Sequence, residues 1–124
     1  MEENNLDFEI SFYEKLLEKK PDFVEAFMAL GDAYSKKGLY EKGFEIDKKL
    51  VLLRPDDPII HYNLACDYSL LKAPKLSFHS LERALQLGYD DFKFMEEDPD
   101  LQFIRQDERF RELIGKYTKK SSGA

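Results

Sequence analysis

Apolar residues recur at helical spacing from the start of the chain. Leu6, Ile10, Tyr13, Leu16 and Leu17 form one stripe, which predicts a helix over residues 5 to 19. Asp22 with Glu25 three residues on has the form of a capping box, so a helix is expected from about residue 23. It should stop near Lys37, where the basic stretch "YSKK" is followed by Gly38. The next helix runs from about Tyr40 to Leu53 and ends before Pro55, because the residue preceding a proline avoids the α region. Asp57 then Pro58 is an N-cap with proline at the first helical position, opening a helix to about Leu71. Pro74 opens another, which ends at Gly88. Loops of a few residues make neighbouring helices antiparallel. No segment alternates convincingly with period two, so no sheet is expected and the fold class is all-α.

After Gly88 the pattern shortens. "DDFKFMEED", "PDLQFIRQ" and "DERFRELIGKY" each open on an Asp or Asp-Pro start signal. Their apolar residues are Phe92, Met95, Leu101, Ile104, Phe110, Leu113 and Ile114. Three short helices are expected here, folded against the preceding hairpin, with Asp90, Asp98 and Asp107 as N-caps.

The helices repeat. Leu30 and Leu64, Tyr34 and Tyr68, and Pro21 and Pro55 are each 34 residues apart, and both prolines precede Asp. "FMALGDAY" supplies Phe27, Leu30, Gly31 and Tyr34, with Pro55 closing the unit. "HYNLACDY" supplies His61, Leu64, Ala65 and Tyr68, with Leu81 and Ala84 in the following helix. "FYEKLLEKKP" carries Tyr13, Leu16 and Pro21, as the second half of an earlier unit would. On these residues the chain resembles a tetratricopeptide repeat (TPR) protein. The stretch "ALQLGYDDFKFMEEDPDLQFIRQDERFRELI" is similar to the segment that often follows the last repeat in bacterial members of that family.

The resemblance implies a right-handed helical-hairpin solenoid of two full repeats, a leading half repeat and short C-terminal capping helices. The expected organisation is a single domain over 1–120, divided into 5–20, 22–55, 56–88 and 90–120, with a disordered tail at 121–124. Some positions depart from the family pattern. Gly43 and Asp47 stand where an alanine and an aromatic are usual, so that helix is expected to pack loosely. His61 replaces a large apolar residue, and Lys72-Ala73-Pro74 replaces a glycine-bearing turn.

Gly31 then has a physical reason. Phe27, Leu30, Gly31 and Tyr34 share one helix face, which must bury against a partner helix. A residue without Cβ lets the two backbones approach. The helix-propensity loss of about 1 kcal/mol is offset if Leu30 and Tyr34 bury better, each worth roughly 1.5–3 kcal/mol.

Composition narrows the function. Of 124 residues, 43% are apolar and 35% charged, as a folded domain requires. The net charge of −6 argues against nucleic acid and anionic membrane surfaces as partners. Cys66 is the only cysteine, so a reducing, cytoplasmic location is expected. The opening "MEENNLDFEI" has no apolar core of a secretory signal, and no apolar run approaches the ~20 residues that cross a bilayer.

Nothing in the chain converges on catalysis, and no enzyme activity, cofactor or metal is expected. His61 and His79 fall on different helices at no ligand spacing. Cys66 lies five residues from His61, roughly 140° round the helix, so they do not pair there. The acidic run Asp90, Asp91, Glu96, Glu97, Asp98 and Asp100 lacks EF-hand spacing. Arg105, Arg109, Arg111, Lys116, Lys119 and Lys120 alternate with Asp107, Glu108 and Glu112, the pattern of a solvated face.

What remains is surface. The resemblance implies a concave groove lined by the first helix of each repeat, which binds a peptide or partner helix. By helical spacing its residues are Glu25, Met28, Ala29, Asp32 and Lys36 in one copy, and Ile59, Tyr62, Asn63, Cys66 and Leu70 in the next. Part of this face is either covered by the tail or left as a binding patch. Some family members clamp a chaperone's C-terminal carboxylate with Lys and Asn. Here Asn63 fits one such position, but Met28 and Asp32 stand where the others should be, so that role is not expected. The expected partner is a protein or peptide segment, neutral to basic, with an apolar anchor. The alternative is self-association through the opening helix. Phe8, Phe12 and Leu16 lie on its outer side, unless polar Glu2, Glu3, Asn4, Glu9 and Lys15 cap it, and a homodimer would follow.

Overall fold

The computed structural model describes residues 2–122, and the side chains of 5–119. The described residues form eight α-helices and one 3-10 turn, with no strand among them. Two compact units divide at Pro55 and Asp56, where one 34-residue unit of sequence gives way to the next.

The first unit holds α1 (Glu2–Lys19), α2 (Val24–Lys36) and α3 (Tyr40–Leu53). Helix α2 packs against both of the others. It buries Ala26, Phe27, Leu30, Gly31, Ala33 and Tyr34. The Tyr34 hydroxyl donates to Glu14 Oε2 at 2.5 Å, tying α2 to α1, and Lys37 pairs with Asp7. A Cβ on Gly31 would lie 3.3 Å from Ile46 Cγ2 of α3, so close approach is what this position needs. At Gly43 the alanine usual in the pattern would fit without a clash. Gly43 is buried, and a Cβ there would meet Ser35 Oγ at 3.6 Å and the Gly31 carbonyl at 3.8 Å.

The expected capping box does not form. The N-cap of α2 is Phe23, in extended conformation and without a side-chain cap. The Phe23 N–H donates to the Lys20 carbonyl at 3.2 Å, and this turn leaves Asp22 one residue ahead of the cap. The stop at Gly38 is as expected: its φ is 83°, and Leu39 and Gly38 N–H groups donate to Tyr34 and Ser35 carbonyls at 2.8 and 3.0 Å.

The second unit holds α4 (Pro58–Leu70), α5 (Pro74–Gln86), α6 (Phe92–Glu97), a 3-10 turn at Pro99–Leu101, α7 (Gln102–Arg105) and α8 (Glu108–Ser122). Asp57 accepts from the Ile59 N–H at 2.9 Å with Pro58 behind it, as the sequence predicts. Helices α4 and α5 form the second hairpin. Ser77, 34 residues after Gly43, donates to the Ala65 carbonyl at 2.7 Å, linking the pair.

The end of α4 repeats the end of α2. Ala73 and Lys72 N–H groups donate to Tyr68 and Ser69 carbonyls at 2.8 and 3.0 Å, and Lys72 takes the left-handed φ of 59°. Gly38 and Lys72 are 34 apart, so a lysine occupies the position that glycine fills one repeat earlier. A side chain in this conformation costs roughly 1–2 kcal/mol, partly returned by the lower chain entropy of a non-glycine residue. Lys72→Gly is therefore expected to stabilise by about 1 kcal/mol, read as a raised urea midpoint at unchanged m.

The tail divides more finely than expected. "PDLQFIRQ" is split into the 3-10 turn and α7, because Asp98 and Pro99 start a tight turn that α7 then continues. Asp91, not Asp90, caps α6, accepting from the Phe94 N–H at 3.1 Å. Asp98 and Asp107 cap as expected, accepting from Asp100 and Arg109 N–H groups at 3.0 and 2.9 Å. Met95, Leu101 and Ile104 are fully buried in one cluster with Tyr62, Cys66 and Leu81. Helix α8 runs to Ser122; residues 123–124, which belong to the expected tail, and the side chain of Lys120 lie outside the described residues.

Candidate functional site

The α2 face expected to bind is open. Glu25, Met28, Asp32 and Lys36 are exposed and Ala29 is half-buried. Met28 keeps 42% of its surface in water, much for so apolar a side chain. Asp32 pairs with Lys36 one turn on at 3.0 Å, both well exposed, and the hydrogen bond from Lys36 raises that ammonium's pKa.

The α4 face is different. Ile59 is exposed and Asn63 and Leu70 half-buried, but Tyr62 and Cys66 are buried. Of the two outcomes open for this face, cover by the tail is the one observed at Tyr62 and Cys66. The 3-10 turn and α7 pack on α4. The Tyr62 ring stacks on Tyr89, centroids 4.3 Å apart and planes within 3°. Its hydroxyl donates to Asp98 Oδ2 at 2.6 Å, and the Cys66 thiol lies 3.7 Å from the same oxygen. Arg105 Nη1 donates to the Met95 and Asp98 carbonyls at 2.9 Å each, fixing the turn.

At this node the Tyr62 phenol and the Cys66 thiol are both shifted toward their protonated forms. Burial, with Cys66, Asp98 and Tyr89 nearby, pushes the Tyr62 phenol far above its ordinary range. Burial likewise raises the Cys66 thiol, and the Asp98 and Asp100 carboxyls add to it. Tyr89 is pushed up to about 12, mainly by burial. A thiol kept protonated is a poor nucleophile. Asp98 thus does two jobs, one oxygen capping the turn and the other accepting from α4. Only the cap could be read from the sequence. The signal for the rest is that α4 is apolar nearly all round, the mark of a helix covered on several sides.

The other candidates stay apart. His61 is buried at its packing position, while His79 is exposed on α5. Among the described residues no three His, Cys, Asp or Glu gather as a metal site, and no helix is long and apolar enough to cross a membrane. On α1, Phe8 is 72% and Phe12 53% exposed, with Leu16 half-buried. Glu9 and Lys15 are exposed beside them, while the Glu2, Glu3 and Asn4 side chains lie outside the described residues.

No protein family model matches the chain. Over 90 residues, 70% of the chain, it is 34% identical to a chloroplastic protein of Arabidopsis thaliana. That stretch is 27% of the relative's length, so the chain spans about a quarter of the protein it matches.

Proposed function

We propose that the chain is a tetratricopeptide repeat protein with the right-handed solenoid of that family, acting as a non-catalytic adaptor. Its open α2 face binds a neutral-to-basic protein segment with an apolar anchor. One observation carries this reading. Two helix faces 34 residues apart have different fates: on α4 Tyr62 and Cys66 are covered by the chain's own tail, while on α2 Met28 and Asp32 are bare. The matching hairpin ends at Gly38 and Lys72 support the repeat. The burial and raised pKa of Cys66 favour a role without catalysis. A single buried thiol suits the cytoplasm, though the relative's name places that protein in the chloroplast. The net charge keeps nucleic acid and anionic membranes outside the proposed partners.

Partners captured from native lysate by the whole chain, identified by mass spectrometry, supply the ligand for the test. Asp32→Lys should weaken its binding at least about tenfold while thermal unfolding stays nearly unchanged, since Asp32 is exposed. Unaltered affinity counts against the α2 face.

The exposure of Phe8 and Phe12 favours a second reading, a self-associating module paired through α1. Light scattering on the protein and on Phe12→Glu checks it. The reading predicts a dimer that the substitution converts to monomer; a dimer indifferent to it rules the α1 interface out.

A further inference from the structure

The covered face indicates what the open one accepts, on the premise that α2 is a binding face. On α4 the occupant is residues 98–104. Asp98 opens a tight turn, and its carboxylate meets the hydroxyl of Tyr62 and the thiol of Cys66. Leu101 and Ile104, three residues apart, follow, and both are fully buried. The occupant is therefore one charged residue and two apolar anchors at successive spacings of three.

One repeat earlier the floor changes at two places. Met28 stands at the position of Tyr62, and Asp32 at that of Cys66, each 34 residues away. Both donors are lost and a carboxylate takes their place. Exposed Glu25 adds a second negative charge to the same face. The requirement for apolar anchors is kept, because Met28 is exposed, flexible and polarisable, and small Ala29 leaves room beside it. The requirement for charge is reversed.

We propose that the exposed α2 face docks a short helical turn of a partner polypeptide, in which an arginine or lysine stands three residues before the first of two apolar residues that are themselves three apart. It is the charge-inverted counterpart of the chain's own Asp98, Leu101 and Ile104. The existing Asp32–Lys36 pair is no barrier. Both side chains are more than 60% exposed, and ion pairs in that setting are weak enough for an incoming cation to displace.

The probe is a blocked peptide of residues 98–105 carrying Asp98→Arg and Asp100→Ala, titrated into the isotope-labelled whole chain and followed by backbone amide NMR shifts. The unchanged 98–105 peptide is the comparison. Shifts are expected to cluster on residues 24–36. The arginine peptide should bind at least about tenfold more tightly than the unchanged one, and Asp32→Lys should remove about that factor. Added salt should weaken it. Equal binding of the two peptides, shifts centred elsewhere, or no binding of the arginine peptide overturns the proposal. If the arginine peptide fails while the captured partner still depends on Asp32, the segment chemistry is wrong and the face stands. If the captured partner is indifferent to Asp32, the face itself is wrong.

Discussion

Gly31→Leu is expected to destabilise the protein by about 3 kcal/mol, the upper end of what overpacking costs. The first atom of any side chain there already lies 3.3 Å from Ile46 Cγ2 and 3.6 Å from Asp47 Oδ1. Leucine adds three further carbons to an interface with no room for them, so α2 and α3 must separate. That separation would loosen Leu30 and Leu50, both almost fully buried. Gly31→Ala is the informative contrast. It gains about 1 kcal/mol of helix propensity and meets one tight methyl contact, so its net effect should be near zero. Urea unfolding of both variants measures the difference, and a well-tolerated leucine would show that close approach is not why the glycine is there.

Leu101→Ala is expected to cost about 3 kcal/mol, within the usual range for a buried leucine. Leu101 has no exposed surface and sits in the cluster with Tyr62 and Cys66. Its loss undermines the turn that covers α4. A second readout separates this from general damage. Burial is the largest cause of the raised Cys66 thiol, so partial uncovering lowers its pKa and frees it to react. Labelling of Cys66 by a thiol reagent under native conditions should be slow in the unaltered protein and faster in the variant. A loss under about 1 kcal/mol with unchanged labelling would show that the tail is not part of the α4 core.

Helix ends were legible wherever a residue restricts the backbone itself. Gly38, Pro58, Pro74 and Gly88 mark real boundaries, because positive φ or a missing N–H leaves the chain few choices. Side-chain caps were less legible. Asp22 and Asp90 each sit one residue from the actual cap, since a local turn decides which residue arrives first. Lys72 was legible as a departure but not as a left-handed residue; its φ of 59° and the hydrogen bonds from Ala73 and Lys72 to the Tyr68 and Ser69 carbonyls reveal that it holds glycine's place.

The candidate site divides along the same physical line. The α2 face follows from helical spacing, because nothing among Glu25, Met28, Asp32 and Lys36 needs a distant contact to be exposed. The α4 face depends on residues over 30 positions later. Periodicity within one helix carries no information on where Asp98 lands, so spacing alone puts Tyr62 and Cys66 on the groove face and leaves open the cover that the tail supplies.

The most direct test of the interaction role is the affinity of the captured partner for the double variant Glu25→Lys, Asp32→Lys, measured beside its thermal unfolding. Both side chains are exposed, so unfolding should shift little. The α2 face predicts that binding falls by about a hundredfold, roughly 1.4 kcal/mol for each reversed charge. Full binding by a variant that folds normally would contradict it.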